Sequence, residues 1–179
     1  TCEWVTTDWD GIIPNLQSGN YDVIIAGMSI TKERGEVIDF TQNYIPPASS
    51  AYMALDAGVD VKTGAISAQT GTIQAGYVQE SGASLVEFAT PDETVAAVRN
   101  GEADAVFADK DYLAPILAES GGKFVWAGEE IQLGDGVGMG LRKSDTELKA
   151  KFDDAITAMK ADGSLNELIK NRFNVSVFF

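Results

Sequence analysis

Apolar and polar positions along the chain fall into short blocks whose period switches between that of a helix and that of a strand. Ile12, Ile13 and Leu16 share one helical face, which Asp8 can cap and Gly19 can stop. The opening TCEWV reads as a strand, and the apolar run Asp22–Ala26 reads as a short buried one. Thr31 can cap a short helix carrying Glu33, Arg34 and Glu36, after which Val37–Phe40 returns to a sheet. Pro46 and Pro47 exclude a helix at the next segment. Beyond them strand-like and helix-like blocks alternate. Strands are predicted at 51–55, Ala65–Ala68, Leu85–Phe88, Ala103–Ala108 and Phe124–Ala127. Helices are predicted from Thr72, over Pro91–Asn100 and over Asp109–Glu119. At the end, Asp145 can cap a run with Leu148, Phe152, Ile156 and Met159 at helical spacing, Gly163 breaks it, and Leu165–Phe173 makes a last helix. This alternation with short connections predicts an α/β architecture.

Composition narrows what such a chain can do. At 179 residues it has room for one medium domain or two small ones. Thirteen basic against 27 acidic residues leave a net charge of -14, which repels nucleic acid and anionic lipid surfaces. The absence of histidine excludes histidine triads and most zinc sites. Cys2 is the only cysteine, so no internal disulfide and no cysteine metal cluster can form. No metal and no cofactor is expected. No apolar run reaches membrane-spanning length, and no leader-like segment opens the chain, as in a soluble protein or the mature form of an exported one. Residues 134–141, GDGVGMGL, are glycine-rich, but their spacing fits neither common nucleotide fingerprint.

Four stretches give the chain a family resemblance: DWDGIIPNLQSGNYDVIIAGMSITKERGEVIDFT (8–41), QTGTIQAGYV (69–78), GEADAVFAD (101–109) and GLRKSDTELKAKFDDAITAMKADGSLNELIKNRF (140–173). In this order they resemble the periplasmic polar amino-acid-binding proteins, solute-binding protein family 3, of ABC transporters. The resemblance implies a two-lobed periplasmic binding protein fold (type II) with the ligand in the cleft. Lobe one would hold 1–48 and 138–179, and lobe two would be the insert 49–137. It implies an extracytoplasmic, periplasmic protein that delivers an L-amino acid with a polar side chain to an ABC permease, and not an enzyme. A truncated self-associating form without ligand binding and a cyclohexadienyl dehydratase-like enzyme on the same fold stay as alternatives. Family members begin with a further strand, loop and helix, roughly 25–45 residues, so the N-terminal lobe reads as incomplete and binding as impaired. A sheet gap of that kind suggests self-association, a homodimer first. Cysteine-bearing relatives can pair the Cys2 position with an upstream cysteine, which would leave the Cys2 thiol unpaired here.

The resemblance also names a site. Arg34, the arginine of SITKERG, would bind the ligand carboxylate through its planar fork, although an arginine is otherwise an ordinary surface residue. Asp109, ending a strand and opening a helix, would bind the ammonium; helix capping is its other reading. Gly27 would offer a backbone carbonyl to the ammonium, or simply form a turn. Ser29 would offer its hydroxyl and N–H to the carboxylate. Thr72 and Ile73 open a helix whose free N–H groups attract a carboxylate, and Ile73 can contribute only its backbone. Gln74 lies close to them. Trp9 is either an aromatic wall for the ligand or core.

Overall fold

The computed structural model describes residues 1–173. In chain order its elements are α1 (Ile12–Gln17), α2 (Lys32–Val37), β1 (Asp39–Phe40), β2 (Ser49–Ala54), β3 (Ala65–Gln69), α3 (Ile73–Ser81) and β4 (Ser84–Phe88). There follow α4 (Pro91–Asn100), β5 (Ala105–Asp109), α5 (Lys110–Glu119), β6 (Val125–Gln132), β7 (Gly140–Leu141), α6 (Thr146–Asp162) and α7 (Ser164–Phe173). Two compact units result. Unit one is Thr1–Pro47 with Gly134–Phe179, and unit two is Ala48–Leu133. The part of the sequence-defined first lobe from 174 to 179 lies outside the described residues.

Unit two is a sheet of order β4-β3-β5-β2-β6. Strand β3 runs parallel to β4 and β5, while β2 runs antiparallel to β5 and β6. Its core follows from the period-2 alternation of strand side chains. Tyr52, Ala54, Ala105 and Phe107 point to one face with Ile66 and Val78, whereas Met53 and Val106 point to the other with Val95, Val98 and Leu113. Tyr52 and Phe107 are cross-strand partners, and their rings stack with centroids 4.2 Å apart. Helix α4 starts with a complete capping box: Thr90 and Glu93 each satisfy the other's backbone N–H, and Pro91 stands where no N–H is needed. Strand β6 runs past the predicted Phe124–Ala127 because a bulge lets it continue. Its register against β2 shifts between Ser50 and Tyr52, and Gly128 takes φ +60° there.

Unit one has one two-stranded sheet, β1 with β7 antiparallel, and a core of Ile12, Leu16, Ile24, Met28, Ile38 and Phe40. Two expected strands are absent. Residues 1–5 form no strand and are exposed throughout. In Asp22–Ala26 only Ile24 is bridged, exchanging both backbone bonds with Gly140 at 2.8 and 3.0 Å, and only Ile24 is buried. A strand exists through its ladder, so an apolar run with one bridged residue stays irregular whatever its propensity.

Two predicted caps also differ. Asp8 makes no side-chain cap; its carbonyl accepts from Gly11 N–H at 3.2 Å in a 3-10 turn that precedes α1. Asp145 makes none either, because its carboxylate pairs with Arg142 at 2.8 Å, a charged partner worth more than an amide. Thr31 does cap α2, accepting from Arg34 N–H at 3.1 Å. Residues 134–137, which the sequence reading places in the insert, hydrogen-bond within unit one: Ile30 N–H to Gly136 carbonyl at 2.7 Å, and Tyr44 N–H to Val137 carbonyl at 2.8 Å.

Candidate functional site

In unit one the candidate residues gather around the turn from Gly27 to Thr31. Gly27 takes φ +68°, which only glycine adopts without strain, and it is exposed. Burial pushes the Tyr44 phenol up, and a hydrogen bond with the Gly27 backbone opposes the rise, so Tyr44 reaches this turn. Thr31 ends the turn by capping α2 and thereby places Arg34 in the helix's first turn. The Arg34 side chain folds back on the turn. Its Nη1 donates to the Ser29 carbonyl at 2.9 Å, and its guanidinium carbon lies 5.6 Å from the centre of the Trp9 ring. Arg34 is half-buried rather than solvated. Trp9 packs on the core of Ile12, Leu16 and Met28 and also turns its π-face to a cation. In this arrangement the cation is Arg34, so the ring acts on the arginine. Trp9, Ser29 and Arg34 thus form one contact group, with Gly27 on the same turn.

In unit two the candidate residues come from two parallel strands. Both β3 and β5 end at one edge of the sheet, and each is followed by a helix. After β3, Gly71 takes φ +71° and Thr72 becomes the N-cap of α3. The Thr72 hydroxyl donates to the Gln69 carbonyl at 2.7 Å and accepts from Ala75 N–H at 3.2 Å. Ile73 and Gln74 are the first two helical residues, and their N–H groups have no acceptor inside the helix. A carboxylate at this point would meet two amide donors and the positive end of the helix.

Asp109 closes β5 and stands in the N-cap position of α5, yet its side chain makes no capping bond. Its Oδ1 accepts from Gln74 Nε2 at 2.8 Å instead. The same Nε2 donates to Ser50 Oγ at 3.0 Å, and Ser50 is the cross-strand partner of Asp109. Gln74 and Ser50 are 5% and 1% exposed, whereas Asp109 is exposed. Ionised Asp109 can only accept, so the donating end of the Gln74 amide must face it. Sequence reasoning named Gln74 only for its nearness to Thr72 and Ile73; it missed the bond to Asp109 and the part played by Ser50. The available signal was a glutamine at the second position of a helix, next to residues already singled out. Ser50 gave none, since its contact depends on strand pairing. Among the described residues no group of three acidic or cysteine side chains could hold a metal ion.

Comparison with known proteins bears on the family and the fold. The family model for bacterial extracellular solute-binding proteins, family 3, matches residues 1–175. The chain is 30% identical to the lysine/arginine/ornithine-binding periplasmic protein of Escherichia coli (strain K12), over 99% of this chain and 74% of that one. It is 29% identical to the L-arginine-binding protein of Pseudomonas aeruginosa over the same shares. It superposes with a TM-score of 0.96 and 67% identity on a periplasmic His/Glu/Gln/Arg/opine family-binding protein from Silicibacter pomeroyi in complex with lysine, covering 100% of this chain and 82% of that one.

Proposed function

Because the chain belongs to the bacterial extracellular solute-binding proteins of family 3, we propose that it binds a basic L-amino acid, lysine first, in the periplasm and hands it to an ABC permease. The observation that carries this reading is the 67% identity to a protein seen in complex with lysine. The site residues support it. An amino acid loses the hydration of two charges on binding and needs a partner for each. In unit one, Arg34 and Ser29 offer donors suited to a carboxylate and the Gly27 carbonyl an acceptor suited to an ammonium. In unit two, the amides of Ile73 and Gln74 offer donors suited to a carboxylate and Asp109 an acceptor suited to an ammonium. Thr72 contributes by shaping the helix start rather than by contact. The net charge of -14 favours a cationic ligand over an anionic one. The proposed role is binding and not turnover, since Arg34 and Asp109 each suit one charge of an amino acid and supply no unique acid or base over a substrate.

Calorimetric titration with lysine, arginine, histidine and glutamine tests the reading. A basic amino acid should bind tightest. Heat from none of the four, or turnover of prephenate or arogenate, would reject it.

Weak affinity and self-association belong to the same proposal. The sheet of unit one consists of two two-residue strands, and Trp4, Val5, Ile25 and Val37 are 75%, 57%, 44% and 50% exposed. Pairing with a second copy would cover such surface. Cys2 is exposed as well. Light scattering at two salt concentrations, with and without reductant, should give a dimer mass. A monomer at tens of micromolar under all conditions rejects the dimer, and a dissociation constant for lysine at or below about 1 μM (roughly -8 kcal/mol) rejects weak affinity.

A further inference from the structure

Gln74 is a buried polar side chain in contact with a candidate ligand-binding charge. It is 5% exposed, and burial of an amide is costly unless its hydrogen bonds are made. Both of its N–H donors are used. One goes to Ser50 Oγ at 3.0 Å, the other to Asp109 Oδ1 at 2.8 Å. Ser50 sits on β2 directly across from Asp109 on β5, and Gln74 sits on α3, so one amide ties three elements together. The alternative for Asp109, capping α5, is open by position and is not taken.

We propose that Gln74 is the positioning residue for Asp109. Seated on Ser50, its amide pins Oδ1, favours the ionised carboxylate and keeps Asp109 from rotating into the cap of α5. This rests on the reading that Asp109 receives the ligand ammonium. Gln74 acts through Asp109 and donates nothing to the ligand from its side chain. A carboxylate held by a charge-assisted hydrogen bond loses less rotamer freedom on binding a cation than one that must first leave a competing cap. A purely structural tie between α3 and β5 would share the geometry, but its loss would weaken ligands equally, whether or not they carry an α-ammonium.

The experiment compares the wild-type chain with Gln74→Met, which keeps the volume and removes both donors, and with Gln74→Glu. Two probes are used: lysine, and 6-aminohexanoate, which lacks the α-ammonium. The carboxyl titration of Asp109 is followed by carbon NMR in the ligand-free protein. In Gln74→Met the Asp109 midpoint should move up, because a hydrogen bond to the charged form is lost. Lysine affinity should fall roughly 10-fold, and 6-aminohexanoate affinity should change less. In Gln74→Glu two carboxylates meet at hydrogen-bond distance and cannot both ionise. Lysine binding should then gain a titration step that the wild type lacks. An unmoved Asp109 midpoint in Gln74→Met, or equal losses for the two probes, overturns the proposal and leaves Gln74 as a structural tie. If wild-type protein binds no lysine while the midpoint still moves, the functional reading fails and the placement of Asp109 by Gln74 stands.

Discussion

The guanidinium of Arg34 lies over the face of Trp9, 5.6 Å from the ring centre, while its Nη1 is tied to the Ser29 carbonyl. The aromatic ring therefore orients the arginine that is proposed to take the ligand carboxylate. A cation–π contact of this kind is worth about 0.5–2 kcal/mol. Trp9→Leu should weaken lysine binding by roughly 3- to 30-fold. Arg34→Ala should cost more, about 2–5 kcal/mol, because a carboxylate is left poorly paired. Calorimetry on both variants checks the order of these losses. Unchanged affinity in Arg34→Ala would remove Arg34 from the site.

Asp109→Asn keeps the shape of the side chain and removes its charge. It should weaken lysine by about 2–5 kcal/mol and weaken 6-aminohexanoate less, since that ligand brings no α-ammonium. The two affinities measured side by side decide the matter. Equal losses would mean that Asp109 serves only the fold.

Gly136→Ala should be strongly destabilising. The residue has φ +88°, and a Cβ there would stand 2.5 Å from the Ile45 carbonyl oxygen and 3.1 Å from the Pro46 carbonyl carbon. Backbone of the 45–46 segment cannot yield as a side chain does. The loss should be at least about 2 kcal/mol, measured as a lower urea midpoint. Gly76→Ala should act the other way. Gly76 lies inside α3 with nothing within 4 Å of its added Cβ, so the substitution should stabilise by about 0.5–1 kcal/mol.

Tyr52 predicts a loss of stability in base. Burial pushes its phenol up to about 12, with Tyr77 adding to the rise. A raised pKa means that the folded chain holds its proton while the unfolded chain releases one above the ordinary value of 10. The contribution is therefore whole below pH 10 and fades as pH climbs from there to about 12. Urea unfolding across that range should show a steeper fall for the wild type than for Tyr52→Phe. Parallel slopes would place the alkaline sensitivity elsewhere.

Helix positions were legible because their signals are local. Thr31, Thr72 and Thr90 cap the helices they precede, and Gly82, Gly101 and Gly163 end helices with positive φ. A cap and the turn it satisfies lie within four residues, so sequence spacing states their geometry unless a charged neighbour or a 3-10 turn intervenes, as at Asp145 and Asp8. The strands of unit two were legible for a related reason: alternating or continuous apolar runs such as Ala105–Ala108 have a single way to enter a covered sheet.

What the sequence determined by itself is thus the α/β alternation and most helix starts and stops, while Arg34 and Asp109 were singled out through the family resemblance. Only the tertiary structure decided what those charges touch. The Gln74–Asp109 bond joins residues 35 apart, and the Ser50 that anchors it is brought there by strand pairing. Tertiary structure also decided that Thr1–Val5 and most of Asp22–Ala26 are not strands. A helix closes its hydrogen bonds within its own segment, but a strand borrows its partners from elsewhere in the chain. No local pattern of residues states whether that partner is present.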